Sequence, residues 1–454
     1  MGENKLVFPP GFIWGTASSA YQVEGAWDAD GRGLSIWDTF CRQPGAVERG
    51  ENGDIAADHY HRWREDVQLM QTLGLNAYRF SIAWPRILPE GRGAVNQPGL
   101  DYYDRLVDAL LEKGITPFVT LYHWDLPQAL QGQGGWTERA TVDAFGQYAA
   151  VVAERLGDRV EYWIPQNEPM VAALIGHFLG MHAPGIQDIN AAFKAGLNLL
   201  ISHGAAVQAL RATCRLEPKI AITLNLSPVS PASQNPLDMQ AAHLFDLVTN
   251  RFFLDPVLLG SLPHDLETLL ALLGISIGTN DMKIIASPID FLGVNYYSRT
   301  VIRHDPQANL IQADQVHPQG NEYSQMWEIY PPGIYEILKM LQTEYLPRSH
   351  AGLRLIITEN GICVPDGVDF DGRVRDERRI RYLRSHLEQV HKAIAEGVPL
   401  DGYFAWSLTD NFEWAFGYRM RFGLVYVDFA EQTRIIKDSG FWFKQVIRNN
   451  AVTG

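Results

Sequence analysis

Apolar residues along this chain gather into eight short runs, with stretches of helical periodicity between them. The runs are Phe12–Thr16, Leu75–Ser81, Ile115–Leu121, Val160–Gln166, Lys219–Leu224, Ile289–Asn295, Leu353–Thr358 and Leu400–Trp406. They are rich in β-branched and aromatic residues and close on turn-forming or polar positions, as buried strands do. Between them, Tyr102–Glu112, Thr137–Leu156, Ala191–Ala212 and Asp376–Glu396 read as amphipathic helices. Buried strands that alternate with helices pair in parallel. Eight such units predict an α/β fold, a single (β/α)8 TIM barrel over residues 1–454 with long βα loops. The connections near Cys41–Asp58, Arg303–Ser324 and Pro365–Arg375 are polar and rich in Gly, Pro, Asp and Asn, which suits the rim of a site. An open doubly wound sheet is the competing arrangement, but no Gly-rich phosphate fingerprint follows any early run.

The residues that end these runs carry the chemistry. In order they lead to Gln22, Arg79, His123-Trp124-Asp125, Asn167-Glu168, Asn225, Asn295-Tyr296-Tyr297, Glu359 and Trp406. A barrel brings all of these ends to one face, where catalytic residues sit. Two of them are glutamates that close apolar runs, and a carboxylate there is costly to bury unless it is paired or used. Paired carboxyl groups across a cleft are the machinery of glycoside hydrolysis. Salt-bridged barrel carboxylates are the plainer alternative.

Composition narrows the partners. A net charge of −14 argues against nucleic acid or an anionic membrane. The basic stretch Arg373–Arg384 also carries Asp376 and Glu377 and reads as the solvated face of a helix. Three scattered cysteines, Cys41, Cys214 and Cys363, suggest neither a metal site nor a disulfide framework, and point to a reducing, cytoplasmic setting. Met1–Pro10 lacks the pattern of a signal peptide, and no run approaches the length of a membrane span. The cluster Asp58-His59-Tyr60-His61 has no zinc-like spacing, so no metal is expected. Twelve tryptophans and 18 tyrosines suit sugar stacking but equally suit a core.

From Phe12-Ile13-Trp14-Gly15-Thr16-Ala17 to Phe422-Gly423-Leu424 the chain resembles the glycoside hydrolase family 1 β-glucosidases. The most specific segments are Asn167-Glu168-Pro169, Ile357-Thr358-Glu359-Asn360-Gly361 and Trp406-Ser407-Leu408-Thr409-Asp410-Asn411-Phe412-Glu413-Trp414. The resemblance implies a retaining double displacement, with Glu359 as nucleophile, Glu168 as acid and then base, and carboxyl groups about 5–5.5 Å apart. Arg79, Asn295 and Tyr297 would support the nucleophile, with Arg79 and Tyr297 lowering the pKa of Glu359, while Glu168 keeps its proton longer. Substrate positions would be Gln22, His123, Trp124, Asn167, Asn225, Trp327, Trp406, Glu413 and Trp414, with Trp406 as stacking floor and Trp327 as aglycone wall. No cofactor is implied. The expected partner is a small glycoside such as cellobiose or an aryl β-glucoside, with side activity on fucosides and galactosides. Nothing in the sequence speaks to oligomeric state.

Two departures from the family pattern stand out. Pro165 and Gln166 precede Asn-Glu-Pro, and a proline there predicts a local bulge in the fourth strand. Met170 follows it, where many bacterial relatives carry Trp, which predicts a more adaptable aglycone side. A 6-phospho-β-glucosidase is disfavoured by the carboxylate of Glu413, which would repel phosphate. A thioglucosidase is disfavoured by the presence of Glu168. A non-catalytic glycan-binding barrel would be expected to lack a glutamate, and a transglycosidase would use the same residues.

Overall fold

The computed structural model describes residues 5–308 and 311–453. At its centre is a closed barrel of strands β1 (Ile13–Ala17), β2 (Ala77–Ser81), β3 (Thr116–Tyr122), β4 (Tyr162–Gln166), β5 (Lys219–Asn225), β6 (Phe291–Asn295), β7 (Arg354–Asn360) and β8 (Leu400–Trp406). Each strand pairs in parallel with the next, and β8 closes on β1. Every apolar run becomes one of these strands, with ends moved by no more than two residues. Four of the helices are α1 (Gln97–Glu112), α2 (Arg139–Leu156), α3 (Ile189–Thr213) and α4 (Glu377–Ala395). Helix α1 starts earlier than its periodicity indicates because Pro98 sits in the first turn, where its missing N–H is harmless. The stretch Thr137–Leu156 is split, since Gly135–Thr137 forms a separate 3₁₀ turn before α2.

The barrel interior is filled by one inward side chain from each strand but β1, namely Ala77, Phe118, Ile164, Ala221, Phe291, Ile356 and Phe404, while Gly15 of β1 leaves room for the Phe404 ring. Small and large residues interdigitate, and Phe118 meets Phe404 edge to face at 4.9 Å. This plug closes the barrel below the site. Side chains alternate along a strand, so Arg79, Thr120 and Trp406, two residues beyond Ala77, Phe118 and Phe404, point inward above it.

The connection Arg303–Ser324 is not the plain loop its composition suggests. Thr300–His304 pairs with Ala313–Gln315 and with Val229–Pro231 in a three-stranded sheet outside the barrel. Residues 309–310 of that connection, Met1–Asn4 of the amino-terminal stretch and Gly454 lie outside the described residues. The basic stretch Arg373–Arg384 lies mostly on α4, but Arg379 is buried and paired with Asp366 and Asp376 rather than solvated. No described helix is long and apolar enough to cross a membrane.

Candidate active site

Backbone irregularities aim the two glutamates. Along β7, strict alternation would put Ile356 and Thr358 inward and Glu359 outward. The pairing with β6 runs from Ile357↔Val294 to Glu359↔Asn295, so one extra residue is accommodated in β7. Such a bulge re-aims the side chain that follows it. It brings Glu359 to the barrel mouth. Gly361 then passes so close to β8 that a Cβ would meet the Trp406 carbonyl oxygen at 1.9 Å, which explains glycine after Glu359-Asn360.

Pro165 acts in a similar way on β4. Its ladder with β3 stays in register from Phe118↔Tyr162 to Tyr122↔Gln166. Towards β5 the pairing goes from Trp163↔Ile220 to Asn167↔Thr223, four residues against three. The expected bulge is therefore present, on the β5 side alone. Glu168 follows with φ of +47°, and Trp124 and Trp414 also have positive φ. Non-glycine residues held in this region concentrate at functional sites.

A continuous set of hydrogen bonds joins the strand ends. Arg79 Nη1 donates to Glu359 Oε1 at 2.6 Å, and the Tyr297 hydroxyl donates to Oε2 at 2.6 Å. Asn295 Nδ2 donates to Glu168 Oε1 at 2.6 Å, while its Oδ1 accepts from Thr358 Oγ1 at 2.8 Å. Arg79 is oriented by Thr120 Oγ1 and also donates to Asn167 Oδ1. Asn167 Nδ2 donates to His123 Nε2 at 3.1 Å, and Trp124 Nε1 donates to the Asn167 carbonyl at 2.9 Å. His123 therefore carries its own proton on Nδ1, a buried donor with no partner among the described residues.

Burial and charge separate the two carboxyl groups. Glu168 is 5% exposed, and burial and then the charge of Glu359 push its pKa up to about 8, against the pull of Asn295 and Arg79. Glu359, 3% exposed, is also raised by burial, while Arg79, Tyr297 and Asn295 pull it back. Arg79 and Tyr297 thus lower the Glu359 pKa as expected, but removal from water outweighs them and leaves the net shift upward. The order of the two groups survives: Glu359 has the bonded cation and Glu168 does not. Burial, aided by Arg79, also holds the His123 pKa well down, keeping the ring neutral.

One end of the site is closed by Gln22, whose Nε2 donates to Asn411 Oδ1, the Phe412 carbonyl and Glu413 Oε2 at 3.1, 2.9 and 3.3 Å. Burial and then the Glu359 charge push Glu413 up to about 8. The rings of Trp406 and Trp414 each lie 5.9 Å from His123 and nearly parallel to it, and Trp124 meets Trp414 at 4.6 Å. On the opposite side Trp327 packs on Tyr297 at 4.9 Å. Asn225 and Met170 line a neighbouring cavity with Trp327. Hydrogen bonds and ring contacts thus join the expected catalytic and glycone residues to one another, with Asn225 in the cavity beside Trp327.

Other residues were not legible in the sequence. Asp410 accepts from Lys437 Nζ and the Gly423 N–H, and pairs with Arg421. Lys437 also pairs with Asp366, which Arg379 holds in turn. This buried network ties the loop carrying Glu413 to the loop after β7, and only its final fold position reveals it. In the Asp58–His61 cluster, His59 pairs with Asp66 and His61 with Asp58. Among the described residues no three His, Cys, Asp or Glu side chains gather as a metal site. Cys363 is a buried free thiol.

The family model described as Glycosyl hydrolase family 1 matches residues 4–452. β-Glucosidase A of Thermotoga maritima is 50% identical over 453 residues, covering 99% of each chain. A bifunctional β-D-glucosidase/β-D-fucosidase of Bifidobacterium breve is 43% identical, over 98% of this chain and 99% of that one. Among solved structures, the Thermotoga maritima β-glucosidase in complex with glucoimidazole superposes with a TM-score of 0.94 at 49% identity, covering 98% of this chain and all of that one.

Proposed function

As a member of glycosyl hydrolase family 1 the chain is a retaining β-glucosidase, and we propose that Glu359 is its nucleophile and Glu168 its acid–base residue. The protein removes terminal non-reducing β-D-glucosyl residues from cello-oligosaccharides and aryl β-glucosides by double displacement. One observation carries the assignment of roles: Glu359 is gripped by a guanidinium and a phenol, whereas Glu168 has an amide donor and no bonded cation.

In the first step Glu359 attacks the anomeric carbon while Glu168 gives its proton to the departing oxygen. Forming the ester removes the charge on Glu359, and that charge was holding the pKa of Glu168 up. Glu168 then ionises more readily and takes a proton from the attacking water, which releases glucose and restores Glu359. Asn167, His123, Gln22 and Glu413 would hold hydroxyl groups of the glycone, with Trp406 beneath the ring. Asn295 would position Glu168 through its shortest bond while also supporting Glu359.

Residues 1–454 are read as one catalytic unit in a reducing, cytoplasmic setting, a reading supported by three free thiols. Its small-molecule partner is cellobiose or an aryl β-glucoside. Both glutamates are present and supported, so nothing favours a non-catalytic glycan-binding barrel. The test is kcat/KM on aryl β-glucoside, β-galactoside, β-fucoside and 6-phospho-β-glucoside under one set of conditions. Preference for the unphosphorylated glucoside or fucoside is expected. Preference for the phosphorylated sugar, or no turnover at all, would overturn the reading.

A further inference from the structure

Two residues before Glu168, a polar side chain points away from the site. Ile164 of β4 faces the barrel interior, so strict alternation would turn Gln166 inward as well. Instead the bulge at Pro165 sends Gln166 outward, between β4 and α3, where it is fully buried. Its Nε2 donates to Ser202 Oγ of α3 at 2.8 Å, and Ser202 Oγ donates in turn to the Leu199 carbonyl at 2.8 Å. Among the described residues this is the only side-chain hydrogen bond between β4 and α3. The adjacent His203, equally buried, has no partner on either ring nitrogen.

Helix α3 meets the chain on both sides of Glu168. Before it stands the Gln166–Ser202 bond. After it, Gly196 of α3 lies against the turn Val171–Ile175, so close that a Cβ on Gly196 would sit 3.6 Å from the Ala173 methyl. Between these contacts the Asn167 N–H donates to the Tyr122 carbonyl at 3.0 Å, and the Glu168 N–H to the Thr223 carbonyl at 2.9 Å. An apolar side chain in place of Gln166 would fill the same space more cheaply. The amide buries an oxygen, Oε1, that finds no partner among the described residues, and this is unfavourable. What the amide adds is direction, because a hydrogen bond is angle-dependent and apolar contact is not.

We propose that Gln166 is a positioning residue for Glu168: its bond to Ser202 sets how the end of β4 is turned, and so where the Glu168 carboxyl meets the departing oxygen. The inference rests on the reading of Glu168 as the acid–base residue. Gln166 faces α3, so it touches no substrate and gives no proton. Glu168 holds φ of +47°, a backbone state that its surroundings must enforce. Pro165 has no N–H with which to anchor the bulge it makes. The Gln166 amide, one residue on, supplies that anchor from its side chain. Without it the Glu168 carboxyl slips, while Glu359 stays held by Arg79 of β2 and by Tyr297 beyond β6.

The experiment measures kcat/KM for an alkyl β-glucoside, which needs a proton to leave, and for an activated aryl β-glucoside, which does not. The variants are Gln166→Leu, Ser202→Ala and the two combined. Both values report the first step, and their ratio within one variant cancels any loss of folded enzyme. The expected result is an alkyl-to-aryl ratio about tenfold lower in each single variant. The double variant should fall no further, because both substitutions break one bond. An unchanged ratio in either single variant, equal losses on both substrates, or a further fall in the double variant would overturn the proposal. Glu168→Ala in the same series separates the two readings. A selective alkyl loss there, with none in the other variants, would overturn the positioning role alone. Equal losses in Glu168→Ala would overturn the acid reading and the proposal with it.

Discussion

Tyr297→Phe isolates one contact on the proposed nucleophile. The substitution removes a hydroxyl that donates to Glu359 Oε2 at 2.6 Å and keeps the ring packed on Trp327. The Arg79 ion pair on the other oxygen remains, so the carboxylate is weakened rather than released. A hydrogen bond to a charged group contributes about 1.5–3 kcal/mol. At about 1.4 kcal/mol per pH unit, its loss raises the Glu359 pKa by about one to two units. The site is buried, so solvent screening does not reduce this much. Glu359 must be ionised to attack, so the acid limb of kcat/KM moves to higher pH. The basic limb follows Glu168, already pushed up to about 8, and should move far less. The active range therefore narrows from its acid side. The assay is kcat/KM for an activated aryl β-glucoside from about pH 4 to about pH 9, read as limbs of a coupled pair. An acid limb that stays in place while the basic limb shifts would refute the assignment of the ionised partner.

Glu359→Gly should abolish turnover, and added azide should restore it with formation of the α-glycosyl azide; the β-product from that variant would mean the nucleophile lies elsewhere. Glu168→Ala should slow alkyl glucosides by about 10²–10⁴-fold but activated aryl glucosides much less at the first step, because they leave without a proton; equal losses in pre-steady-state rates on both would count against its role as acid. Lys437→Met strips Asp410 and Asp366 of the buried cation they share, leaving Arg421 and Arg379 as their remaining partners, and should destabilise the fold by about 3–5 kcal/mol in urea unfolding; a loss well under 1 kcal/mol would show the network to be dispensable.

The barrel was legible because its strands are buried on both faces and so read as unbroken apolar runs. The polar residues that end those runs were legible for the same reason, since Arg79, Glu168 and Glu359 interrupt apolar sequence. The sheet pairing Thr300–His304 with Ala313–Gln315 was not, because short strands outside the barrel in a polar connection carry no run. Nor was the network of Asp366, Asp410 and Lys437, whose members are scattered along the chain and look like ordinary surface charges. The rise in Glu359's pKa escaped for a different reason: sequence names the cation beside a carboxyl group but not how completely water is excluded from it. The bulge at Pro165 was foreseeable from its missing N–H, though not its confinement to one neighbour.

Glu168 and Glu359 stand at the ends of β4 and β7, three steps apart around a sheet with no free edge. Their separation is therefore gauged by the circumference of the sheet, and no loop spans it. Loops at the mouth, such as Cys41–Asp58 and Pro365–Arg375, can lengthen, shorten or be exchanged without resetting that gauge. Stereochemical outcome and choice of leaving group are in this way inherited separately: the first belongs to the closed ring of strands, the second to the tissue of connections around it.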